Sequence, residues 1–145
     1  MSLFASLSVS ASGMQAERTR AALLVENIAN AETTRTPEGG PYRRKDAVFS
    51  SEPVASPFAG VFADELNASG TGVTVSQIVE DTSAPEKKYM PGHPDADAQG
   101  YVAMPRINPA EDMVDLMSAT RSYEANVAAI SSVKDMISHT ISLLS

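Results

Sequence analysis

The sequence predicts a mainly α chain with a β-containing middle: long N- and C-terminal helices packed as a coiled coil, and a small irregular β domain inserted between them. Three observations predict it. All nine Pro lie between Pro37 and Pro109, and seven of the eight Gly lie between Gly39 and Gly100. Helix breakers and turn formers are thus confined to the middle. On both sides of that middle, apolar residues recur at alternating spacings of three and four. The stretch from Pro109 to Ser145 has no further Gly or Pro. The expected division is residues 1–34, 35–108 and 109–145, with the first and last packing together as one helical domain.

In the N-terminal segment the stripe is Phe4, Leu7, Ala11, Met14, Arg18, Ala21, Val25 and Ile28. Only Arg18 departs from the heptad pattern of a helix seam. Gly13 is a weak point worth about 1 kcal/mol against Ala. The helix should end near Asn30, because Thr33 to Pro37 is poor helix material.

The C-terminal helix has a clearer start. Asn108 can N-cap, Pro109 suits the first helical position, and Glu111 can reach back as in a capping box. Glu111, Asp112 and Asp115 place negative charge at the positive end of the helix dipole. The stripe then runs Met113, Leu116, Thr120, Tyr123, Val127, Ile130, Lys134, Ile137, Ile141 and Leu144. A continuous helix over this segment is about 55 Å long, too long to be buried edgewise in a 15.3 kDa globule. The runs Ala21–Val25 and Val127–Ile130 are apolar around most of a helix circumference, which calls for neighbours on more than one side.

The middle segment contains strand-like pieces at Tyr42–Phe49, Val73–Val79 and Gly100–Met104, each bounded by turn formers. Ser50–Gly72 reads as a flexible insertion, and Met90–Pro94 as a tight turn.

Composition narrows the function. The chain is 43 % hydrophobic, which can support a core, and it has no Cys, so disulfide scaffolds, thiolate metal sites and cysteine nucleophiles are excluded. A net charge of −7 is the wrong sign for binding duplex nucleic acid. Two His leave little stock for acid–base chemistry near neutral pH. No stretch approaches the ~20 apolar residues of a membrane span. Val9-Ser10-Ala11 imitates a signal cleavage site, but no Lys or Arg precedes Arg18, so no cleaved signal is expected.

Motifs that carry chemistry are sparse. Asp95 to Gly100 resembles the start of a calcium-binding loop, yet the glutamate required at position twelve is replaced by Arg106. His93, Asp95 and Asp97 therefore read as an Asp-rich turn, and no metal is expected there. Gly70-Thr71-Gly72 lacks the third Gly of a dinucleotide fingerprint. Arg43-Arg44-Lys45, the only basic run, reads as a solvated turn in preference to a partner for acidic groups. His139 reads as a surface or interface residue.

Residues that carry a family resemblance are denser. Glu26-Asn27-Ile28-Ala29-Asn30-Ala31-Glu32-Thr33-Thr34 resembles the Asn-x-x-Asn signature that ends the N-terminal helix of bacterial flagellar rod and hook axial proteins. Tyr123-Glu124-Ala125-Asn126, within Arg121–Ile130, resembles their C-terminal helix signature. Thr36 to Lys45, Pro91 to Asp97 and Met104-Pro105 narrow the resemblance to the branch of basal-body rod protein C, subunits of the proximal rod. Ser50–Gly72 contributes little to it.

The resemblance implies a structural subunit with no enzymatic activity and no cofactor. It implies export through the flagellar type III apparatus without a cleaved signal, and polymerisation in the periplasm through the terminal helices into the axial drive shaft and export channel. Implied partners are copies of itself, other proximal and distal rod proteins, and the basal-body protein joining the rod to the MS ring, with no nucleic acid and no membrane insertion. Subunit and helix packing is expected at Leu7, Met14, Ala21, Val25, Asn27, Ile28, Asn30, Met113, Leu116, Tyr123, Asn126, Val127, Ile130, Ile137 and Ile141. Asn30 reads as a C-terminal cap, and Asn126, beside the apolar stripe, as a residue that fixes register. Two alternatives are a type III-secreted coiled-coil interaction module or needle-like subunit, and a small hydrolase built on the His93, Asp95 and Asp97 loop.

Overall fold

A computed structural model describes residues 3–53 and 71–143. Most of the Ser50–Gly72 stretch, the side chain of Phe4, and Leu144 lie outside the described residues. The order is α1 (Leu3–Ala29), β1 (Lys45–Pro53), β2 (Thr71–Glu80), β3 (Glu86–Tyr89), β4 (Tyr101–Met104) and α2 (Pro109–Ser142). β1 pairs antiparallel with β2, and β3 antiparallel with β4, as two separate ribbons. α1 packs on α2 and on the β1–β2 ribbon.

This corrects the expected fold class. The helices hold 27 and 34 residues, about half of those described, so helix does not dominate as expected. The described part of the middle forms two antiparallel ribbons, the longer of which packs against α1. Nor do the two sequence stripes meet as a coiled-coil seam. α1 buries Ala16, Leu23, Leu24 and Asn27, while Ala11, Arg18 and Val25 of its stripe are exposed. α2 buries Asp112, Ala119 and Val133, each one residue before the exposed stripe members Met113, Thr120 and Lys134. The physical reason is that both helices are apolar on more than one side, so periodicity alone does not select the inward one.

α1 ends as expected. The Asn30 side chain donates to the Glu26 carbonyl at 2.9 Å and accepts from the Thr33 hydroxyl at 3.1 Å, satisfying groups left over at a helix terminus. α2 starts on Asn108, whose side chain accepts from the Ala110 amide. Gly13 is a point of close approach: a Cβ there would lie 3.2 Å from both terminal atoms of the Asn126 amide. Gly13 beside Asn126 and Arg20 beside Asp115 fix the helices as antiparallel.

The ribbon is attached to α1 by side chains acting on backbone. The fully buried Asn27 donates from Nδ2 to the Lys45 carbonyl at 2.9 Å, and its Oδ1 accepts from the Lys45 amide at 3.0 Å. The same Oδ1 accepts from the Tyr42 hydroxyl at 3.1 Å. Burial, helped by the Glu26 carboxylate, pushes the Tyr42 hydroxyl up to about 12, so it remains a donor. Further along, the Ser12 hydroxyl accepts from the Val73 amide at 3.0 Å. β1 and β2 change register between Val48 and Phe49, and the Ser76 hydroxyl donates to the Val48 carbonyl across the irregularity.

The basic run is not a solvated turn. Arg44 Nη2 lies 3.0 Å from Asp112, 3.5 Å from Asp46 and 3.9 Å from Asp115. Arg20 reaches Asp115 from α1 at 3.7 Å, and Lys45 pairs with Glu26 at 2.8 Å. Asp112 is fully buried rather than facing solvent at the helix start, and neither of its carboxylate oxygens makes a hydrogen bond. Burial raises its pKa. Arg44 opposes that shift, while Asp46, Asp115 and Glu111 add to it.

Two outcomes are expected. Asn27→Leu strands the Lys45 amide and carbonyl and should cost about 3 kcal/mol in urea unfolding. A loss below about 1 kcal/mol would contradict the docking role. For Asp112 the folded pKa exceeds the unfolded one, so its contribution to stability falls as pH rises from about 4 through the raised folded value. Asp112→Asn should flatten that part of the stability–pH curve. Arg44→Met should cost about 3 kcal/mol at neutral pH when Asp112 is present and much less in the Asp112→Asn background. Equal costs in both backgrounds would contradict the pairing.

Candidate assembly interface

The residues expected to pack subunits and helices divide into an inward and an outward group. Asn27 turns inward and docks the ribbon, and Asn30 caps α1. Asn126 is half-buried over Gly13, but its amide donates to the Ser122 carbonyl of its own helix at 2.9 Å. It sets helix spacing by shape.

The apolar members point elsewhere. Val25 is 52 %, Met113 56 % and Val127 45 % exposed; Tyr123 and Ile141 are exposed as well. Leu7, Met14, Ala21, Ile28, Leu116, Ile130 and Ile137 are half-buried. On α1, Val25 stands two positions after the buried Leu23, roughly 200° around the helix. The two cations that interrupt the stripes, Arg18 and Lys134, are exposed in the same way. Val114 and Met117 extend the exposed apolar surface at the start of α2. No helix of the described residues is long and apolar enough to cross a membrane.

The polar middle is occupied by its own turn. Asp95 accepts from the Thr34 hydroxyl at 2.8 Å and pairs with Arg35, tying the loop to the segment after α1. Asp97 accepts from the Gln99 and Tyr101 amides at 2.9 and 2.8 Å. His93 Nδ1 accepts from the Asp95 amide. Gly100 closes the turn at φ +83°, where a Cβ would meet the Tyr89 ring at 2.9 Å. A cleft of 280 Å³ between α1, β1 and α2 is floored by Leu23, Leu24 and Phe49. Its charged groups Arg20, Lys45, Asp46 and Asp115 are held in ion pairs.

Sequence reasoning missed Tyr42, Arg44 and Asp112 as structural partners, and read Gly13 as a weakness. The available signal was the charge placement. Asp112 stands seven residues before Ala119, in phase with the buried side, and Arg18 and Lys134 mark the solvated sides.

The chain is similar over its length to known proteins. Residues 98–143 match the family described as flagellar basal body rod FlgEFG protein C-terminal. The flagellar basal-body rod protein FlgC of Borreliella burgdorferi is 42 % identical over 151 residues, covering 99 % of each chain. That of Bacillus subtilis is 43 % identical, covering 94 % of this chain and 95 % of the relative. The Salmonella typhimurium protein is 37 % identical, covering 99 % and 98 %. Identity at this level across two helices and both ribbons places the chain: it belongs to the family of flagellar basal-body rod proteins FlgC.

Proposed function

We propose how this structural subunit of the flagellar basal-body rod assembles. Copies pack side by side through the outward faces of α1 and α2, building the proximal part of the rod. In that arrangement residues 1–34 and 109–145 form the axial unit around the export channel, and residues 35–108 lie outside it. Neighbours above and below are other proximal and distal rod proteins and the protein that joins the rod to the MS ring. The subunit reaches the periplasm through the flagellar export apparatus. It works by transmitting torque, with no catalytic step, no cofactor, no binding to nucleic acid and no membrane insertion.

The observation that carries this reading is the exposure of Val25, Met113, Tyr123, Val127 and Ile141 on the outward sides of two helices whose inward sides are already packed. Apolar surface left over after a fold has closed is the usual mark of an association site. The chain's own ribbon and second helix pack against α1, which leaves Val25 and the exposed members of the α2 stripe for a neighbour.

Val25→Glu, Met113→Glu and Val127→Glu separate folding from assembly. Each position is exposed, so the unfolding free energy of the free chain should change by less than about 0.5 kcal/mol. Each variant should fail to restore swimming, and should be missing from isolated basal bodies, in cells lacking the native subunit. Normal incorporation of all three would overturn the reading.

A further inference from the structure

The chain has seven Met and no Cys, so no thiol competes for an oxidant and the thioethers are its softest nucleophiles. They are not equally open. Met113 is 56 %, Met117 54 % and Met136 50 % exposed, whereas Met14, Met90 and Met104 are half-buried. Met113 and Met117 are also one helical turn apart, so their side chains share one face of α2. With the exposed Val114 they form an apolar patch over its first turns.

We propose that Met113 and Met117 are sites of reversible oxidation by a peroxide, and that their oxidation switches off assembly through this face. The inference rests on the assembly reading above. A sulfur lone pair attacks one oxygen of hydrogen peroxide, the O–O bond breaks and the S–O bond forms. Sulfur gives up two electrons, and the leaving oxygen takes the proton and departs as water. The product is a sulfoxide, a strong hydrogen-bond acceptor in place of an apolar thioether. In the free chain both sulfoxides face water and cost the fold little. Against a neighbour's apolar surface each becomes a buried acceptor without a donor, which disfavours association by about tenfold per site. The asymmetry between free and assembled chain is what makes the pair a switch rather than a site of damage.

The full chain treated with graded hydrogen peroxide provides the test, read by peptide mapping and by sedimentation velocity. Met113 and Met117 should be oxidised ahead of Met14, Met90 and Met104, and the oxidised chain should self-associate at least about tenfold more weakly. Treatment with methionine sulfoxide reductases of both stereospecificities should restore association. For Met113→Leu/Met117→Leu, the ratio of association with and without peroxide should stay near one, whatever its starting level. Uniform oxidation of all the methionines would overturn the proposal. So would wild-type chain that associates equally before and after oxidation, or a double variant that loses association on peroxide treatment as wild type does. If the reduced chain stays monomeric at every concentration, self-assembly through this face fails and the switch fails with it. Normal incorporation of the charged variants above, with peroxide-sensitive association intact, sinks the assigned face while leaving the oxidation order established.

Discussion

The side-chain amide of Asn27 takes the place of a neighbouring strand. It offers one donor and one acceptor to the two backbone groups of Lys45, as a paired residue in a sheet would, and it does so from inside a helix. A helix normally packs on a ribbon through apolar contact alone, which leaves sliding and rotation weakly resisted. Here the amide fixes both. Because it is fully buried, breaking it leaves three polar groups without water to replace the lost bonds. The position of β1 along α1 follows from this contact, and β2 follows from β1 through their shared register.

The second helix is located by charge. Arg44, the residue before the docked Lys45, is thereby aimed at the first turn of α2, where Asp112 is buried. An ion pair in such a place contributes little net stability, since desolvation of the carboxylate offsets the attraction. It does discriminate between arrangements, because any other placement of α2 buries one charge without its opposite. Farther along the pair of helices, spacing is set by the missing side chain of Gly13 under Asn126. Specific polar contacts at one end and a close approach farther along hold the helices, so their remaining apolar surface is not consumed in holding them.

Features governed by neighbours in sequence were legible. The end of α1, the Asn30 cap, the Asn108 cap and the turn after Met90 all depend on residues within a few positions of one another, and each appears where the sequence puts it. Features governed by distant partners were not. Nothing local distinguishes Asn27 as a ribbon dock, because Lys45 is 18 residues away. β3 is Glu86-Lys87-Lys88-Tyr89 with every residue exposed, so it lacks the alternation that announces a strand. The helical stripes were real apolar surfaces, but which side faced inward was decided by the ribbon. Periodicity therefore marked the apolar surface of each helix without telling which part of it the fold would bury.

The two fixing contacts have very different demands on chain completeness. Asn27 and Lys45 can meet once the first third of the polypeptide is present. Arg44 meets its buried carboxylate only when Asp112, about three quarters of the way along the chain, has arrived. A partial chain that stops before α2 has neither that counter-ion nor the surface on which α1 closes, so it retains an open first helix. Closure of α1 thus waits on the arrival of α2.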